Sequence, residues 1–93
     1  MIRSFRDKET ESLFARKPSR RLPFDVQRTA YRKLLLLHAA TCLEDLRLPP
    51  ENWLEALAGK RKGQYSVRVN DQWRLCFIWR DGNAHEVEIV DYH

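Results

Sequence analysis

Asp91, Tyr92 and His93 place a carboxylate, a phenol and an imidazole at consecutive positions after an alternating apolar–polar segment. An imidazole titrates near pH ~6.5, close to working pH, and a neighbouring carboxylate favours its protonated form. A positioned acid or base of this kind contributes about 10²–10⁴-fold to a rate. The cluster therefore reads either as acid–base machinery that also orients a phosphate, or as a solvated tail of the sort common at chain ends. Upstream, Arg68 and Arg74 stand on neighbouring alternating segments, where two guanidinium forks could hold one phosphate. His38, His85 and His93 are scattered and lack spaced acidic partners. Cys42 and Cys76 fit neither a disulfide scaffold nor a four-ligand zinc site, so no metal or other cofactor is expected.

The elements that must position these residues follow from periodicity. Ile2–Phe5 reads as a short first strand, and Asp7 as the cap of a helix carrying Thr10, Leu13, Phe14 and Lys17 until Pro18 stops it. Pro23 and Asp25 open a longer helix reaching about Thr41, with Val26, Ala30, Leu34 and Leu37 on its buried stripe. Leu43–Pro50 is irregular, and Trp53–Ala58 has the composition of about one helical turn. Beyond it the pattern alternates over Gln64–Val69, Trp73–Arg80 and Glu86–Val90, with turns at Asn70–Gln72 and Asp81–Asn83. The expected fold is one α+β domain over residues 1–93. Its N-terminal strand and two helices pack on one face of a twisted, mainly antiparallel sheet whose last strand is central.

Parity turns Tyr65, Val67, Trp73, Leu75 and Phe77 toward the helices and leaves Ser66, Arg68, Arg74, Cys76, Arg80, Glu86 and Glu88 on the other face. Tyr31, Trp53, Trp73 and Trp79 are expected in the core, Cys42 and Cys76 as buried small hydrophobes, and Ser19–Leu22 as a candidate for local disorder.

Seventeen Lys+Arg against thirteen Asp+Glu give a net charge of +4, and twelve of the seventeen are arginine. That field suits an RNA or DNA backbone or an acidic protein partner without choosing between them. Two clusters concentrate it: Arg16, Lys17, Arg20 and Arg21, and Lys60, Arg61 and Lys62. Either is a solvated loop or a contact to RNA. No apolar run approaches the roughly 20 residues of a membrane helix, and the opening residues lack the apolar block of a signal peptide. The expectation is a cytoplasmic protein with no membrane partner.

The stretch Gly63–Arg80, the ending Val87–His93, the opening Met1–Phe5 and the segment Leu54–Gly59 resemble the HigB group of RelE/ParE-superfamily toxins. Within that group the likeness is greatest to the toxins of GraTA-type modules, and it is weakest between Arg16 and Arg28. The resemblance implies a RelE/ParE-like fold and a ribosome-dependent endonuclease that cuts messenger RNA in the A site of the 70S ribosome. It also implies a HigA-like helix-turn-helix antitoxin, through which alone operator DNA would be contacted. By position, Asp91, Tyr92 and His93 match the family's C-terminal functional residues, and Arg74 its strand arginine. Glu55 stands where some HigB proteins have histidine, and Ala58 where some have lysine, so a base role held by that histidine would pass to Glu55 or Asp91, or activity would be weaker. Metal-free cleavage would use the substrate's own 2′-hydroxyl. Asp91 or Glu55 would take its proton, and His93 would protonate the departing 5′ oxygen. Tyr92 would orient or stack on a base, and Arg68 and Arg74 would stabilise the phosphate. Two other readings remain, a ParE-like gyrase poison that cleaves nothing and a non-toxic small RNA-binding domain.

Overall fold

The computed structural model describes residues 1–92; His93 lies outside the described residues. Helices α1 (Lys8–Phe14) and α2 (Phe24–Ala39) precede strands β1 (Glu55–Ala56), β2 (Gln64–Arg68), β3 (Trp73–Arg80) and β4 (Asn83–Asp91), with short 3-10 turns between α2 and β2. The sheet order is β1-β2-β3-β4, each pair antiparallel.

Asp7 caps α1 as expected, its Oδ1 accepting from the Thr10 amide at 2.7 Å. The helix ends earlier than Pro18 requires. Arg16 adopts a left-handed φ of 65°, and the amides of Arg16 and Lys17 donate back to Leu13 and Ser12. This wrap satisfies the terminal carbonyls and puts Lys17 beyond the helix. In α2 the predicted stripe Val26, Ala30, Leu34 and Leu37 is buried. Ser19–Leu22, expected to be loose, is instead fastened: Gln27 accepts from the Ser19 amide and donates to the carbonyls of Ser19 and Leu22, and both Ser19 and Leu22 are buried.

Trp53–Ala58 forms no helix. Trp53 turns the chain through a left-handed φ of 46°, after which Glu55 and Ala56 pair with Ser66 and Tyr65. A single isolated turn fixes many dihedrals for one hydrogen bond, whereas pairing on the exposed edge of β2 satisfies backbone groups on both strands. Ile2–Phe5 contributes only parallel bridges, Ile2 to Ala84 and Phe5 to Val87. Where that segment departs, the edge of β4 is completed by side chains: Thr10 Oγ1 accepts from the Ile89 amide at 3.1 Å, and Arg21 Nη2 donates to the Ile89 carbonyl at 3.0 Å. Glu86, at φ 54°, sits where the β3–β4 register shifts, so it leaves the strict alternation expected of it.

The helix-facing side carries Val67, Leu75, Phe77, Val87 and Ile89, which meet Leu34 and Leu37 in one core. Trp73 belongs to this core and Trp79 packs against it. Trp53 does not; it is 64% exposed, because its left-handed turn directs the chain around the sheet edge. Cys42 is likewise exposed, at the cap of a 3-10 turn rather than inside, whereas Cys76 is buried. Among the described residues, no helix is long and apolar enough to cross a membrane.

Candidate active site on the open sheet face

The face away from the helices is organised in cross-strand rows. One row runs Glu55–Ser66–Cys76–Glu88 through all four strands, and the next pairs Arg68 with Arg74 and Arg74 with Val90. Arg74 is the fixed point. Its Nε donates to Ser66 Oγ at 2.8 Å and its Nη2 to the Trp53 carbonyl at 2.7 Å, leaving it 7% exposed. Glu55 Oε1 lies 3.6 Å from Nη2, and the guanidinium sits 5.7 Å from the centre of the Tyr92 ring. A guanidinium held by a hydroxyl and a carbonyl is fixed in one orientation.

Arg68 is more open. It pairs with Asp71 and lies 5.7 Å from the Trp53 ring centre. Tyr92 is anchored by its backbone, the amide donating to the Gln72 carbonyl at 2.6 Å, while its side chain stays 44% exposed. Asp91 has Trp73 as its strand partner, so alternation gives it the register of the core row rather than that of Arg74. Its Oδ2 accepts from Gln72 Nε2 at 3.1 Å. The structure thus brings Arg74, Arg68, Glu55 and Tyr92 together. It sets Asp91 beside them at the end of β4, but in another row. His93 is not among the described residues.

The two basic clusters part company. Lys60, Arg61 and Lys62 lie in the turn before β2, at the rim of the open face. Arg61 Nη1 donates to Glu88 Oε2 and Gln64 Oε1, both at 3.1 Å, and the Glu88 hydrogen bond raises the Arg61 pKa above its ordinary value. Lys60 and Lys62 remain exposed. Arg16, Lys17, Arg20 and Arg21 lie between the helices instead. Arg16 stacks 5.4 Å above the Tyr31 ring centre, and Arg21 also pairs with Asp7 at 3.6 Å.

Residues 3–93 match the profile of the RelE-like toxin of type II toxin-antitoxin system HigB. The chain belongs to the HigB-like toxin family. It is 44% identical over 85 residues to Toxin HigB-1 of Vibrio cholerae serotype O1, covering 90% of each chain. It is 33% identical over 94 residues to Endoribonuclease HigB of Proteus vulgaris, covering 100% of both. In fold it is similar to a mutant of YafQ from E. coli, with a TM-score of 0.60 at 15% identity over 98% of this chain and 93% of that one. The HigB-like chain is thus a RelE-like toxin by its family match, built as two helices on a four-stranded antiparallel sheet.

Two parts of this HigB-like site escaped the sequence reading. Ser66 is fully buried as the acceptor for Arg74, and its only signal was a small polar residue one row from an arginine. Trp53, which supplies the Arg74-binding carbonyl, looked like core. Cys76 shares the row but is chemically quiet, because burial raises its thiol pKa above the ordinary value and disfavours the thiolate.

Proposed function

We propose that this HigB-like toxin is a ribosome-dependent endoribonuclease that cuts messenger RNA in the A site by 2′-hydroxyl attack. The observation that carries the reading is the Arg74 cluster, a guanidinium locked by Ser66 and Trp53 with Glu55 and Tyr92 at its side. A donor already oriented needs no rearrangement as charge builds on the phosphate, which is where such groups act most strongly. Glu55 is the carboxylate next to that guanidinium and half exposed, so it suits the base role. It takes the 2′-hydroxyl proton as that oxygen attacks phosphorus. The bond from phosphorus to the 5′ oxygen breaks, and His93 gives that oxygen its proton. The products are a 2′,3′-cyclic phosphate and a 5′-hydroxyl end. Arg68 adds a second cation to the phosphate, Tyr92 orients or stacks on a base, and Asp91 positions the strand end through Gln72.

The exposed Lys60 and Lys62 dock on ribosomal RNA at the rim of this face. A HigA-like helix-turn-helix antitoxin neutralises the toxin and carries the contact to operator DNA. The test is expression without the antitoxin gene, with transcript ends mapped on translating ribosomes and on ribosome-free RNA. Growth arrest with 5′-hydroxyl ends at A-site codons, found only on ribosomes, is the expected result. Arrest with stalled gyrase complexes and intact transcripts would replace the reading with a ParE-like one, and no arrest would leave an RNA-binding domain.

A further inference from the structure

Trp53 does no chemistry in this scheme, and core packing does not account for it. A bulky residue seldom adopts a left-handed φ, and a large indole 64% exposed beside a buried arginine is an uncommon arrangement. The backbone around it is nevertheless firmly held. Asn52, 1% exposed, donates to the carbonyls of Leu46 and Leu48 at 3.3 and 3.2 Å and accepts from Lys33. The Trp53 carbonyl is tied to Arg74. The ring is thus displayed on a rigid mount, with the Arg68 guanidinium 5.7 Å from its centre. Arg68 also forms a wall of a cleft of about 430 Å³, shared with Arg32, Lys33 and Asn70, with Glu51 as an acidic counterweight.

We infer that Trp53 and Arg68 form a nucleotide subsite next to the scissile phosphate. A base stacks on the indole, and Arg68, Arg32 and Lys33 take the following phosphate in the cleft. This rests on the reading of Arg74 as the group that holds the scissile phosphate. An aromatic face accepts any base, and a cationic groove tracks the backbone, so the pair recognises single-stranded RNA with little sequence preference of its own. The volume lies within the roughly 300–1,000 Å³ of small-ligand clefts. A protein partner is the less favoured occupant, because three cations, Arg32, Lys33 and Arg68, line the cleft against one carboxylate, Glu51, a balance that suits a polyanionic backbone.

The test uses the full chain and a hexanucleotide RNA made uncleavable by a 2′-deoxy sugar at the cut. The tryptophan indole and arginine Nε resonances are followed by NMR, with Trp53→Phe and Arg74→Lys identifying the two signals. Both signals should shift on titration. Trp53→Ala should weaken binding about tenfold, and Trp53→Phe should restore most of it, since a smaller aromatic ring still stacks. On ribosomes, Trp53→Ala should cut at the same codons but with its KM for ribosomes raised, and Trp53→Phe should restore it. If the Arg74 signal moves and the indole does not, the subsite is overturned while the catalytic reading stands; if neither moves, both fall. Loss of antitoxin binding in Trp53→Ala, with RNA affinity unchanged, would assign the ring to a protein partner and overturn the inference.

Discussion

Lys60–Lys62 and Arg16–Arg21 are comparably basic, but they meet different surroundings. In the first, Arg61 is tied to Glu88 on the open face, and two lysines project at the rim of the Arg74 site. In the second, Arg16 rests on Tyr31 and Arg21 completes the edge of β4 at Ile89, on the side where the helices pack. The difference teaches that charge density in the chain does not locate a site. The face of the sheet on which the charge lands does, and so does whether its hydrogen bonds are already committed. Arg21 is used by the fold. Lys60 and Lys62 remain available to a partner.

The comparison breaks most sharply at Arg74, the residue the open face is built around. Arg74→Lys keeps a positive charge but cannot reproduce the fork to Ser66 and the Trp53 carbonyl, and ribosome-dependent cleavage should fall by about 10²–10³. Arg74→Ala should fall at least as far and also destabilise the fold by about 1–3 kcal/mol, because the buried Ser66 hydroxyl loses its donor. Cleavage within threefold of the parent in Arg74→Lys would remove the open face as the active site, whatever the loops do.

A smaller effect sharpens the contrast between the loops themselves. Each lysine that neutralises a phosphate steepens the salt dependence of binding by about 0.7–0.9 in the log–log slope. Replacing Lys60 and Lys62 with alanine should lower the ribosome-binding slope by about 1–2. The same exchange at Lys17 and Arg20 should leave it nearly unchanged. Arg61 is kept in both variants, since its Glu88 bond makes it part of the fold. Equal slopes for the two double variants would erase the distinction.

Much of this layout was legible from alternation and caps. Asp7 announced α1, the Val26–Leu37 stripe announced α2, and strict alternation placed Arg68 and Arg74 opposite the core residues. What periodicity could not carry was any feature set by one unusual backbone angle or by distant pairing. Trp53 left the core through a left-handed φ, Glu55 joined a strand only because β2 offered an edge, and α1 stopped short of Pro18, its end wrapped by the left-handed Arg16. Ser66 became a site residue through its partner on another strand, which no window of sequence contains. The same holds for Arg16 and Arg21, whose partners Tyr31 and Ile89 lie outside any local window of sequence.

The smallest effect tests whether Arg21 is structural. Its Nη2 bond to the Ile89 carbonyl fills a position on the edge of β4 that a neighbouring strand would otherwise take, and its pairing with Asp7 links that edge to the cap of α1. A charged donor to a carbonyl contributes about 1.5–3 kcal/mol when well buried, and the 40% exposure of this side chain reduces that to about 1 kcal/mol. Water can reach the carbonyl once the guanidinium is gone, which keeps the loss at that level. Arg21→Ala should therefore lower the melting temperature by about 4–8 °C while leaving the salt slope of ribosome binding unchanged. Amide exchange should quicken at Ile89, whose hydrogen bond to Thr10 Oγ1 lies beside the vacated position, before it quickens at Leu75 or Phe77. A variant that melts like the parent but binds ribosomes with a shallower slope would move Arg21 from scaffold to interface, and the two loops would then be alike in use as well as in composition.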